Sequence, residues 1–540
     1  MRLLRFKPTG YRNLRELPVI FSLGQPEPSN RKCSIRFLVG VNGTGKSNLL
    51  RFIAATFAAL DDDYRNERPG NPAYHIPFEL QYEVQGSTVS LNSAGHGTRK
   101  GLTFVVQSNS PNEKGKRPEQ VRYENGEIPG KDTILPQAVI IYTSGDIATW
   151  SDLLRPPARN ERDEESAEKG LPPTLLPDEE QPLSVLYATD SGLTGGSYAN
   201  LTVINPLEEA GSEQPTEQAE EANEIERVYL VEPAHLPLAV LVAFLQADGL
   251  KGARRELFDA TLKQVGVGEL VSFALHLQYR REQLTGSQEW LLSRFEKSAT
   301  IRLNRWEPRQ WVFDLGANYE GQSLAEQLMK GSGDNDTIPA LQLFRSLVEL
   351  QEAGIIRRLD LVINKASREA ADEQAYQTLL FENLSDGERD FLGRMALVHL
   401  FNDKECLFLL DEPEVHFNDT WKRDLVFQIE QALTGTDSAV ILTTHESITL
   451  TDAYPEEVVL LSPGGRQQSV PLTLGTEPSE ILRSVFGSRY SVGERAQRRI
   501  NDLIANGTTE ELQTLLNYVG PGYFRFRVLE ELQRRVTSAH

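Results

Sequence analysis

The chain has 540 residues, 39% of them apolar and 25% charged, with a formal charge of −21. No apolar run approaches the roughly 20 residues that span a bilayer, which argues against membrane insertion, and the length calls for two or three folding units or one large domain with insertions. Such an acidic balance repels nucleic-acid phosphates unless the basic residues are segregated on one face, so bulk charge gives no support for direct DNA binding.

In chain order, Arg2 to Phe21 reads as a strand, a turn at Pro8 to Gly10 and a second strand. The opening MRLLRFKPTGYRNL is basic but lacks the apolar stretch of a signal peptide, and Cys33 and Cys406 adjoin strand-like runs. A reducing cytoplasm with buried thiols is the expected setting. CSIRFLVG is a buried strand that enters a glycine turn, and KSNLLRFIAATFAAL follows with apolar residues at helical spacing. IPFELQYEV and STVSLNS alternate like a hairpin about Gln85 and Gly86, and LPQAVIIYTSGD is a buried strand ending in a polar loop.

Residues 1–150 therefore form the first part of an α/β unit. Residues 151–226 are acidic and rich in Pro, Gly and Ser, and are expected to be loops or partly disordered around one short ordered piece, LSVLYATDSG. Residues 227–370 read as a large, mostly helical insertion: HLPLAVLVAFLQADGL, ARRELFDATLKQVG, EWLLSRFEK and ALQLFRSLVELQEAG are amphipathic, and the strand IIRRLDLVIN follows. No sustained heptads occur, so long coiled-coil arms are not expected. Residues 371–465 complete the α/β unit, and 466–540 form a short helical tail in which LNYVGPGYFRFRVLEEL suggests two helices about a Gly-Pro-Gly turn.

Four segments carry chemistry. Gly40-Val-Asn42-Gly43-Thr44-Gly45-Lys46-Ser47 matches the phosphate-binding loop and lies between a strand and a helix, as that motif requires. Its amides and the helix start surround phosphates, Lys46 neutralises the β and γ phosphates, and Ser47 ligates Mg²⁺, which makes ATP and Mg²⁺ the expected cofactors. CLFLLDEPEVHF ends a buried strand in two acids: Asp411 is placed to hold the metal through water and Glu412 to act as general base. Leu384-Ser385-Asp386-Gly387-Glu388 precedes the helical run RDFLGRMALVHLF, and Ser385 with Glu388 also fits a simple capping box. AVILTTHES is a further buried strand, finishing at His445.

This order of motifs resembles the ABC-type ATPases, in the branch of the RecF, SMC and OLD-like proteins. The resemblance implies an α/β, ABC-type P-loop ATPase head with a mixed or parallel sheet. It makes Leu384 to Glu388 the signature, whose serine, glycine amides and helix start contact the γ-phosphate held by the opposite subunit, and His445 the switch histidine, counted with Glu412 as catalytic. Tyr11, Arg12 and Asn13 are similar to an entry segment of RecF-like proteins, Gln81 is a candidate for the glutamine loop, and His416 falls in the D-loop region. There Asn418 and Asp419 depart from the family's pattern.

The motifs cover roughly residues 1–150 and 375–465. The layout is most similar to the ATPase subunits of Septu antiphage systems, PtuA, including those that accompany retrons. That likeness implies a homodimer through the ATPase heads, with higher oligomers left open. It also implies an HNH nuclease subunit (PtuB-like) as partner, and in retron-associated versions a reverse transcriptase with its RNA and DNA; no membrane is involved. The sequence itself has neither an HNH-like histidine cluster nor a Toprim-like carboxylate series after His445, so nuclease chemistry is expected of a partner. The main alternative is a RecF-like DNA-repair or DNA-loading ATPase that binds duplex directly. A scaffold that holds ATP without turnover is a third reading, against which Glu412 and His445 argue.

Overall fold

The computed structural model describes residues 1–14, 18–21, 33–65, 72–109, 120–145, 147–154, 227–304, 308–316, 318–319, 322–330, 338–366, 376–401, 404–463, 465–488 and 492–538. Of the segment expected to be acidic and loop-rich, residues 155–226, including LSVLYATDSG, lie outside the described residues.

The centre of the fold is a seven-stranded sheet in the order Arg466–Gln468, Val458–Ser462, Ser34–Val39, Ala439–Thr444, Cys406–Asp411, Ala138–Thr143, Val228–Val231. Its strands pair in parallel except for the antiparallel edge Arg466–Gln468, so the sheet is mixed and the chain is α/β. Strands covered on both faces need apolar side chains on both, and SIRFLV, AVIIYT, CLFLLD and AVILTT are near-continuous apolar runs for that reason. The register aligns Asp411 with Thr143 on one side and Thr443 on the other, and Thr444 with Val39. The loops that follow these strands therefore leave from a single carboxyl edge, where open parallel sheets form their binding crevices.

The helix Lys46–Arg65 is clamped between this sheet and a six-stranded antiparallel sheet that includes Arg2–Pro8, Phe78–Val84 and Ser87–Ser93. Phe52 on the helix packs against Phe6 at 5.3 Å and Phe78 at 5.6 Å between ring centroids. The expected hairpin is present, and both turn residues have positive φ, 47° at Gln85 and 70° at Gly86, as a two-residue turn between twisted strands demands. Gln81 sits inside this hairpin, paired with Arg5 and Ser90.

On the opposite face the helices Leu236–Ala247, Asp386–Leu400 and Asp419–Ala432 share the larger core. The helices expected within 227–370 are present, but they accompany a five-stranded antiparallel sheet in the order Ile301–Leu303, Arg309–Asp314, Val267–Leu277, Ile356–Ala366, Tyr376–Leu380. Only Ile356–Ala366 is legible as a strand from sequence. Its neighbour Val267–Leu277 carries register shifts between Val267, Leu270 and Ser272, and these bulges erase the alternation by which a strand is recognised. At the far end, the helices Glu494–Asn506, Thr509–Leu515 and Tyr523–Ser538 close around Ile500, Leu512, Phe524 and Val528, a small core of their own. Neither cysteine is in a disulfide; Cys406 is buried and Cys33 half-buried. Among the described residues no helix is long and apolar enough to cross a membrane.

Candidate nucleotide site

The glycine turn follows Val39 directly and feeds the helix that starts at Lys46. Gly45 has φ of 101°, and a Cβ there would stand 2.7 Å from Leu14 Cδ2 and 3.0 Å from Asn13 Oδ1, so the turn excludes a side chain both by conformation and by space. The segment named for its RecF likeness supports the turn from outside. Asn13 Nδ2 donates to Gly43 O at 2.7 Å, Asn48 Nδ2 donates to Asn13 Oδ1 at 2.8 Å, and Arg12 Nη1 donates to Asn48 Oδ1 at 3.0 Å. Tyr11 stacks on Phe52 at 4.6 Å. Thr44 Oγ1 closes the loop on Val41 O at 2.9 Å, while Asn42 and Gly43 are exposed at its tip. Asn13→Ala is expected to cost about 1 kcal/mol of stability and to weaken nucleotide binding several-fold, which thermal melting with and without ATP will read.

Lys46 is nearly buried, and its ammonium donates to Gly40 O at 2.8 Å and Val41 O at 3.4 Å. Among the described residues it has no ion-pair partner, and burial pushes its pKa down against the pull of the Glu412 and Asp411 carboxylates. A cation held by two carbonyls and facing carboxylates without contact is suited to an anion placed between them. Ser47 Oγ donates to Asp411 Oδ1 at 3.0 Å, and Thr443 Oγ1 donates to the same oxygen at 2.7 Å. Burial raises the Asp411 pKa, and the Thr443 and Ser47 hydrogen bonds oppose the rise. One hydroxyl and one carboxylate are the sparse oxygen set that suits Mg²⁺, an ion that completes its shell with waters and phosphate oxygens.

Glu412 lies one residue beyond the strand with φ of 52°, a conformation that costs a non-glycine residue about 1 kcal/mol or more. Its amide donates to Thr443 Oγ1 at 2.9 Å, and its carboxylate Oε1 lies 3.1 Å from His445 Nδ1. Thr443 thus ties both acids to the neighbouring strand. Sequence reasoning does not single it out, although two adjacent threonines ending an apolar strand are the visible signal. Ser144, at the end of the strand on the other side, donates to Glu412 O at 3.3 Å.

Behind the acids, Glu414 is fully buried and accepts a hydrogen bond from Thr444 Oγ1. Burial holds its carboxyl up to about 7 from an ordinary 4.5. The folded chain then keeps a proton that the unfolded chain releases near 4.5, so this group's contribution to stability falls as pH rises from about 4.5 to 7. Glu414→Gln is expected to flatten that slope in urea midpoints measured at pH 5, 6 and 7.

Leu384 to Glu388 stands at the start of the helix Asp386–Leu400, with Leu384 buried and Ser385 exposed. The capping box is formed: Glu388 N donates to Ser385 Oγ at 3.4 Å and Ser385 N donates to Glu388 Oε2 at 3.0 Å. Among the described residues no hydrogen bond joins Ser385 to the glycine turn. The helix is instead fastened to the loop after Glu412. A Cβ at Gly387 would meet His416 O at 2.6 Å, and Arg394 donates to Pro413 O and, at 3.0 Å, to Val415 O. Asp390 Oδ2 bonds both Arg394 Nη2 at 3.1 Å and His416 Nδ1 at 2.8 Å. Asn418 caps the next helix by accepting from Trp421 N at 2.9 Å, which gives the departure from the family's pattern a local structural role.

One edge therefore gathers Lys46, Ser47, Asp411, Glu412 and His445, and Ser385 with Gly387 lies beyond the adjoining loop. Residues 280–451 match the family model described as "AAA domain, putative AbiEii toxin, Type IV TA system". The match includes Ser385, both acids and His445 but not the glycine turn. Among solved structures, the chain is similar to an SMC head bound to the C-terminal winged-helix domain of ScpA, at 10% identity over 88% of this chain and 98% of that one, TM-score 0.35. It is also similar to the SMC head domain from Thermotoga maritima, at 13% identity over 87% and 100%, TM-score 0.31. An SMC head with an extended coiled coil from Pyrococcus furiosus, bound to the C-terminal domain of ScpA, gives 12% identity over 87% and 97%, TM-score 0.30. A comparison with curated proteins finds no match.

Proposed function

We propose that the chain is an ABC-type ATPase that binds ATP with Mg²⁺, closes head-to-head with a second copy around the nucleotide, and opens on hydrolysis. The observation that carries this reading is the continuous chain of contacts along one sheet edge, Ser47 to Asp411 to Thr443, with Glu412 held against His445 beside it. The glycine-turn amides and Lys46 are placed to bind phosphate, and Ser47 and Asp411 would hold the metal, which would supply neutralisation of phosphate charge. Glu412 orients and deprotonates the attacking water, and His445, 3.1 Å from that carboxylate, fixes it and reads the γ position.

Ser385 Oγ already accepts from Glu388 N, which leaves its hydroxyl hydrogen available to a phosphate oxygen. The amides of Asp386 and Gly387 lie in the first helical turn, where no acceptor exists within the helix. Among the described residues no hydrogen bond joins these three donors to the glycine turn of the same chain, which supports a phosphate presented to them by a second copy.

The output we propose is control of an associated HNH-type nuclease in antiphage defence. Support comes from the resemblance of the motif layout to the Septu ATPase subunits. Purification from native cells with identification of the bound components tests it: a co-purifying nuclease supports the reading. Salt-sensitive, ATP-dependent duplex binding without a nuclease favours the RecF-like alternative.

A further inference from the structure

Lys365 belongs to none of the motifs, yet it touches the signature turn. It lies near the end of the strand Ile356–Ala366, paired with Val267 and Gln377, and its ammonium is 2.7 Å from Glu388 Oε1. The other oxygen of Glu388 accepts from Ser385 N. Glu388 thus shares its carboxylate between a cation from the antiparallel sheet and the residue whose hydroxyl faces outward. The side chains of both partners are largely covered, 23% exposed at Lys365 and 12% at Glu388, so the contact is only partly screened by solvent.

A capping glutamate creates a difficulty at a site meant for phosphate. It completes the helix start, but it also sets a negative charge within the first turn, where the incoming anion must sit. Burial opposes ionisation of Glu388, and the hydrogen bonds from Lys365 and Ser385 outweigh it, so the group is held as a carboxylate. Without Lys365 that charge stands unpaired beneath the donors of Ser385, Asp386 and Gly387. It repels a second copy's nucleotide and favours turning away from Ser385 toward water.

We infer that Lys365 is a positioning residue for the composite nucleotide site: by neutralising and fixing Glu388 it lets the Ser385 turn accept the γ-phosphate of a second copy. The inference rests on the two-copy reading above. It also assigns the five-stranded sheet a task, because the strand that carries Lys365 runs through that sheet and ends against the signature.

The test uses the full chain in a Glu412→Gln background, with ATP-dependent self-association followed by sedimentation and single-copy ATP binding followed by titration at low protein concentration. Adding Lys365→Met is expected to weaken association about tenfold or more, as loss of a charged hydrogen-bond partner does. ATP binding by the single copy should stay near its starting value, while the melting temperature falls modestly because the largely covered Glu388 carboxylate loses its partner. Lys365→Arg retains the charge and should keep most of the association, and Lys365→Met combined with Glu388→Gln should recover much of it, because glutamine still accepts from Ser385 N without a charge to neutralise. An association unchanged by Lys365→Met, or a loss that Glu388→Gln does not relieve, overturns the inference while leaving the two-copy reading intact. A Glu412→Gln chain that stays monomeric with saturating ATP overturns both.

Discussion

Lys46→Ala is expected to lower ATP affinity by at least about 100-fold, the scale of losing charge-assisted contacts to two phosphates. The ammonium is buried and, among the described residues, bonded to the carbonyls of Gly40 and Val41, so its removal frees two backbone acceptors and takes away the one protein cation facing Asp411 and Glu412 that is assigned to the phosphates. Folding should survive, since Lys46 stands at a helix start and contributes no side chain to the apolar core. A nucleotide titration paired with circular dichroism separates the two effects: an unaltered spectrum with absent binding is the expected result, and retained tight binding contradicts the role of the turn.

Glu412→Gln is expected to act on turnover rather than on binding, lowering the hydrolysis rate by about 10²–10⁴-fold, the usual contribution of a positioned general base. Glutamine can keep the contact to His445 Nδ1 and has the same shape, and it retains the φ of 52°, so neither fold nor site geometry has reason to change. With opening blocked, ATP-bound dimers accumulate. Glu412→Gly makes the complementary case: it relieves the backbone, raising stability by about 1 kcal/mol, while abolishing turnover. A residue whose replacement improves the fold and removes activity is one kept for chemistry.

The parts legible from sequence share one property, that local order suffices to define them. The glycine turn is read from eight consecutive residues, and the parallel strands are read from apolar runs such as CLFLLD and AVILTT that only a doubly covered sheet requires. The hairpin about Gln85 and Gly86 is legible for the same reason. What escapes is non-local. Thr443 gains its role only because parallel pairing sets it level with Asp411, and Lys365 reaches Glu388 across 23 residues of sequence. Arg394 reads as one more polar residue of an amphipathic helix, although it is buried between Tyr142 and Phe417 and fastens the loop after Glu412. The antiparallel sheet escapes because bulges break its alternation in Val267–Leu277 and because Arg309–Asp314 and Tyr376–Leu380, RQWVFD and YQTLL, mix polar and apolar residues instead of forming continuous apolar runs. The capping box at Ser385 is the plain alternative to a signature in the sequence, and the structure forms it; capping and phosphate contact are compatible, since the box uses the lone pair of the hydroxyl and leaves its hydrogen.

The claim that one chain holds the phosphate while another completes the pocket is tested most directly by mixing two disabled chains. Lys46→Ala copies lack the phosphate-facing lysine but keep Ser385, and Ser385→Arg copies lack the signature donor but keep Lys46. Each alone should fail to hydrolyse ATP, and an equimolar mixture should regain a fraction of the unmodified rate, through mixed dimers that hold one intact pocket. Full turnover by Ser385→Arg copies on their own would contradict the account, because the pocket would then need no second chain.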